Sequence, residues 1–185
     1  MLIAHRLTFP KIFSMMWKKG ADKLDHERFM QEALMLAKEA GAMGEVPVGC
    51  VIVRDGQIVG RGKNCRETSK TALGHAEIEA IRDACKNLGG WRLWDCTLYV
   101  TLEPCPMCAG AIINARIPLV VYGAKDDKCG ACGSVCDLFS MNFNHQPEVI
   151  SGICQQEAKE LLTAFFQTLR EELKTRPKWK KKENI

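Results

Sequence analysis

At 185 residues with 46% hydrophobic content, the chain is long enough for one domain with a full core. It has no apolar run near the roughly 18 residues that a membrane helix needs. Its net charge is +4, but the surplus sits at the ends: Arg6, Lys11, Lys18 and Lys19 near the start, and Lys174, Arg176, Lys178, Lys180, Lys181 and Lys182 near the finish, with a net acidic stretch between. Affinity for nucleic acid therefore has to come from a local basic face plus the C-terminal tail, not from overall charge. Arg6 and Pro10 interrupt the start before a signal-like apolar segment can form, and the ten cysteines follow no small disulfide framework. The reading is a cytoplasmic protein with reduced thiols.

Residues 1–20 carry no periodicity, and Met15 and Met16 offer later starts. They are expected to be a disordered extension or a misassigned start, followed by a folded domain over 21–174 and a basic tail over 175–185. From about Asp25, Phe29, Met30, Ala33, Leu34, Leu36, Ala37 and Ala40 form a helical stripe that Gly41 would cap. Residues 46–53 are β-rich, Asp55-Gly56 is a strong hairpin turn, and 57–62 returns as a second strand. The loop 63–70 then delivers Asn64 toward the next helix, where it can brace the loop or touch a ligand. That helix follows Gly74 and carries Ile78, Ile81, Cys85 and Leu88 at helical spacing.

Residues 97–101 form a third strand running into Glu103-Pro104-Cys105, a helix continues over 109–114, and 119–123 is a fourth strand. Val149-Ile150 is a weak fifth strand, and 155–174 is a long amphipathic helix with Ala158, Leu161, Leu162, Phe165, Phe166, Leu169 and Leu173. Alternation of strand and helix implies a partly parallel sheet with helices on both faces.

Two short pieces carry chemistry: His75-Ala76-Glu77 and Glu103-Pro104-Cys105-Pro106-Met107-Cys108. One imidazole and two thiolates suit Zn²⁺, and three protein ligands leave the fourth tetrahedral position to water, as in catalytic rather than structural sites. With Pro104 opening a helix, Cys105 and Cys108 fall on one face of its first turn, where unpaired N–H groups favour thiolates. Glu77 is read as the general acid/base beside that water and not as a ligand. Cys129, Cys132 and Cys136 can form a second metal site or simply belong to a tight loop with Gly130, Gly133 and Ser134.

The H-x-E and P-C-x-x-C pair is the signature of zinc nucleobase deaminases. Further blocks narrow the resemblance: Glu45-Val46-Pro47-Val48-Gly49, Ala76-Glu77-Ile78, the run from Leu98 to Cys105, Met107 to Ala111, and Gly123-Ala124-Lys125-Asp126 with Lys128, Gly130, Ala131, Gly133 and Ser134. Over residues 25–173 the chain resembles the bacterial tRNA-specific adenosine deaminases. The resemblance implies a three-layer α/β/α cytidine-deaminase-like fold with a mixed five-stranded sheet, a homodimer, and one Zn²⁺ per subunit. It also implies hydrolytic deamination of the wobble adenosine in a tRNA anticodon, arginine tRNA being the expected partner, to inosine. His75, Cys105 and Cys108 become the metal ligands, Glu77 the proton carrier, and Asn64, Pro47, Asp126 and Phe166 the substrate contacts. Thr71-Ala72-Leu73-Gly74 departs from the Asp-Pro-Thr-Ala run of many relatives, so that loop's contacts do not carry over. Cys129 and Cys132 likewise stand where Thr and Ala are usual.

Two other functions compete. One is a deaminase of a free base or nucleotide, such as cytosine, deoxycytidylate or guanine. The other is a zinc-stabilised RNA-binding module without turnover, in which Glu77 would be dispensable.

Overall fold

The computed structural model describes residues 21–175. The expected extension over 1–20 lies outside the described residues, as does the basic tail from 176 onward. In chain order the elements are α1 (Ala21–Ala42), β1 (Gly49–Arg54), β2 (Gln57–Lys63), α2 (Arg66–Ser69), α3 (Ala76–Leu88), β3 (Cys96–Leu102), α4 (Pro106–Ala115), β4 (Leu119–Ala124), β5 (Glu148–Ser151) and α5 (Gln155–Thr175).

The strands form one sheet in the order β2-β1-β3-β4-β5. β1 runs antiparallel to β2 and β3, whereas β4 is parallel to both β3 and β5. The mixed five-stranded sheet of the sequence reading is therefore present. Asp55 and Gly56 both have positive φ, 51° and 73°, which matches a two-residue type I′ turn and the twist of the hairpin it joins.

Alternation along the strands sorts the core into two layers. Cys50, Ile52, Leu98, Val100, Val120 and Tyr122 face Ala76, Ala80, Ala84, Ala109 and Ile112 of α3 and α4. Val51, Val53, Tyr99 and Val121 face Phe29, Met30, Ala33 and Leu34 of α1 and Ala158 of α5. Small residues let the helices lie close: a Cβ on Gly62 would sit 2.1 Å from the Ala76 carbonyl oxygen, and one on Gly49 would sit 2.0 Å from that of Ala33. No helix among the described residues is long and apolar enough to cross a membrane.

Three local expectations are corrected. α1 runs through Gly41 to Ala42, and the left-handed residue of the turn beyond it is Gly44, at φ 79°. The loop after β2 contains α2, a single turn too short to leave a periodic trace. Pro106, not Pro104, occupies the first turn of α4, with Cys105 as the N-cap residue.

Candidate metal centre and active site

His75 is the N-cap residue of α3 in extended conformation, and Cys105 is the N-cap residue of α4. Both helices pack on the same face of the sheet. The starts of two helices thus converge. His75 Nδ1 lies 3.7 Å from Cys105 Sγ and 3.5 Å from Cys108 Sγ. Among the described residues, this is the one group of His, Cys, Asp and Glu side chains close enough to share an ion. Typical Zn–S and Zn–N lengths at the tetrahedral angle put sulfur and nitrogen about 3.6 Å apart, so the spacing fits zinc without rearrangement.

The electrostatics follow from the same geometry. Cys105 is pulled down to about 4, chiefly because the Cys108 thiol donates to its sulfur, with His75 adding to the effect against the cost of burial. Cys108 is pushed up by donating that proton and by burial. Cys105 also raises His75, although burial opposes it. Glu77 is 4% exposed, and burial first, then the Cys105 charge, pushes its carboxyl up to about 7 against the pull of its own backbone N–H and of His75. A carboxyl near neutrality can both take and give a proton.

Asn64, at the end of β2, is buried, and its side-chain oxygen accepts the Ala76 N–H at 2.9 Å. The bracing role open to it in the sequence is present. Its own N–H donates to the Val48 carbonyl, so Pro47-Val48 abuts it. Pro47 also lines a groove of about 400 Å³ between the end of α1 and α5, together with Gly41, Gly44, Leu161, Phe165 and Leu169. Phe166 is 41% exposed and stands edge-on to Phe165, which rather than Phe166 lines that groove. The Asp126 carboxylate accepts the N–H groups of Lys128 and Cys129 and so shapes its own turn. Cys132 bridges to Asp137, and Gly133 donates to the Cys136 carbonyl, making a tight turn of this loop.

Two further carboxylates are buried, and the sequence alone assigns neither a role. Glu103 is 2% exposed and accepts N–H groups from Asp126, Cys132 and Ser134 together with the Ser134 hydroxyl. It therefore holds the loop 126–134 against the cysteine helix, and a Cβ on Gly130 would strike its carboxylate. Glu45 is 1% exposed and accepts the N–H groups of Glu67 and Thr68 and the Thr68 hydroxyl. Both sit in the sequence blocks that flank the metal motif. An isolated Glu has no periodicity to betray it, and only its place within an apolar block hints at burial.

With this geometry in hand, comparison with known proteins decides the family. Residues 24–170 match the family model of MafB19-like deaminases. A tRNA-specific adenosine deaminase of Bacillus subtilis (strain 168) is 50% identical over 149 residues, which cover 80% of this chain and 92% of that protein. The chain belongs to the tRNA-specific adenosine deaminase family. It is thus an enzyme that acts on a C–N bond. A solved structure from work on A-to-I editing by tRNA:A34 deaminases at the wobble position of transfer RNA superposes with a TM-score of 0.71 at 46% identity, covering 73% of this chain and 99% of that one. A guanine deaminase from Bacillus subtilis is more distant, at 32% identity and a TM-score of 0.53 over 86% of this chain and 98% of that one. The family places the fold among the cytidine-deaminase-like proteins.

Proposed function

We propose that this protein converts the wobble adenosine of a tRNA anticodon to inosine, with arginine tRNA as substrate, one Zn²⁺ per chain, and a cytoplasmic homodimer as the working form. The observation that carries the reading is the buried Glu77 carboxyl, two residues from His75, at the start of a helix whose neighbour supplies Cys105 and Cys108. A structural zinc site would have no use for it. The curated relative from Bacillus subtilis supports the choice of substrate.

His75, Cys105 and Cys108 would hold the metal. Zinc bound there supplies Lewis acidity that makes water nucleophilic at neutral pH. Glu77 takes the proton from the water that attacks C6 of adenine and delivers a proton to ring N1. It then passes the remaining C6 hydroxyl proton to the amino group, so that the C6–N bond breaks, ammonia departs and the carbonyl of inosine remains. The adenosine must leave its stack first, which costs little in a single-stranded anticodon loop. Asn64, Pro47, Asp126 and Phe166 are assigned to the flipped nucleotide and its neighbours. Residues 21–174 form the catalytic domain.

The likeness to a guanine deaminase favours one rival, a free-base substrate. Inosine formation on an arginine-tRNA anticodon stem-loop, with free adenosine, cytidine and guanine alongside, separates the two. Turnover of the stem-loop alone is expected; turnover of a free base alone would discard the RNA and keep the zinc chemistry.

A further inference from the structure

We infer that Glu45 is a positioning residue for the RNA, acting through the cations of the loop between Asn64 and His75. This rests on the RNA reading above. The loop 65–74 is closed at its base, where Cys65 donates to the Gly74 carbonyl at 2.9 Å. The turn of α2 opens the loop, and Glu45, in the segment between α1 and β1, holds it. The Glu45 backbone N–H is tied to the Ala40 carbonyl at the end of α1, and its carboxylate reaches the Glu67 N–H at 3.2 Å, the Thr68 N–H at 2.7 Å and the Thr68 hydroxyl at 2.9 Å.

A buried anion is costly unless donors satisfy it, and here the donors all come from one short turn. What they hold in place is a pair of cations. Arg66 and Lys70 are exposed, and no described residue forms an ion pair with either. A Cβ on Gly74 would lie 3.0 Å from the Arg66 backbone nitrogen, so Arg66 stands beside the residue that leads into His75. Exposed, unpaired cations beside a site for a splayed base suit the phosphates on either side of that base. Glu45 touches neither phosphate nor base; it fixes where the cations stand.

The test uses Glu45→Gln, whose amide nitrogen cannot accept from the turn. The anticodon stem-loop KM should rise about tenfold, with kcat within about twofold, because positioning cations affects RNA binding and not the chemical step. Zinc content and the melting profile should be retained. Arg66→Ala with Lys70→Ala should raise KM at least as much, and adding Glu45→Gln to that pair should make it no worse, since Glu45 acts only through those two groups. A folded Glu45→Gln with unchanged KM, or effects that add fully, overturns the inference. If Glu45→Gln does not fold, Thr68→Val removes one donor only; it should raise KM by a smaller factor, and an unchanged KM again overturns it. Wild-type protein that leaves the stem-loop untouched would overturn the editing reading and this one together. Wild-type turnover with unaltered variants overturns this one alone.

Discussion

The side-chain oxygen of Asn64 caps the helix that His75 begins, because it accepts the Ala76 N–H at 2.9 Å while the His75 side chain makes no capping bond of its own. His75 is turned to the sulfurs, so the residue that follows β2 takes over the cap. Asn64→Ala should cost about 1–2 kcal/mol in denaturant unfolding, the usual loss for a missing cap. Asn64→Asp keeps the acceptor and separates the two roles. If Asn64 only braces, Asp restores activity; if its amide also donates to the base, stability returns and activity does not.

Glu77→Gln should lower inosine formation by about a hundred- to ten-thousandfold, the range for loss of a general acid/base. Zinc content by metal analysis should match the wild type. Loss of zinc together with activity would make Glu77 a ligand, contrary to its assignment.

Dialysis against a chelator should abolish turnover, and added Zn²⁺ should restore it with one equivalent per chain. Cys105→Ala should bind less metal and should not be rescued, because two ligands remain of the three.

Acid should loosen the loops through Glu45 and Glu103. Burial opposes ionisation of both, but the N–H and hydroxyl donors of the loops outweigh it, and each carboxyl lies below its ordinary value of 4.5. A carboxyl lowered on folding stabilises the native state above its unfolded value, and that contribution is lost as pH falls through the folded value. The urea midpoint should therefore drop as pH falls below about 4.5, and Glu45→Gln or Glu103→Gln should flatten that drop. An unchanged pH profile in both variants would count against the assignment.

Gly62→Ala forces a methyl to within 2.1 Å of the Ala76 carbonyl oxygen and 2.4 Å of the Ala80 nitrogen. Overpacking of this kind costs about 1–3 kcal/mol. Since α3 must retreat from β2, the displacement reaches His75 and Glu77. Turnover of the folded fraction should fall as well, as single-turnover assays at a temperature well below the melting midpoint would reveal.

How far the sequence could be read depended on whether a residue's neighbours in space were also its neighbours along the chain. The stripe of α1, the Asp55-Gly56 turn and the three-residue spacing of Cys105 and Cys108 are local, so periodicity and turn chemistry reveal them. Pro104 and Pro106 are both plausible first residues for α4, and only the path out of β3 decides between them. Gly41 fits a helix cap by local pattern, yet Gly44 is the residue that turns left-handed. α2 is stabilised by Glu45, some twenty residues earlier, and no pattern within α2 announces it. The pairing of Glu103 with Ser134 is of the same kind. The metal ligands were legible because their spacing repeats a known chemistry, and the loop anchors were not because a lone carboxylate in an apolar block has none.

The two buried carboxylates divide the protein into a frame and its fittings. His75, Cys105 and Cys108 belong to helix starts packed on the sheet, while the segments that Glu45 and Glu103 hold are surface turns gripped chiefly by their backbone N–H groups. A backbone grip is indifferent to most side chains. Residues such as Lys70 and Leu73 can therefore change without disturbing either anchor or the triad. Thr71, Ala72 and Leu73 lie in that permissive stretch, whereas Gly74, whose carbonyl closes the loop onto Cys65, does not.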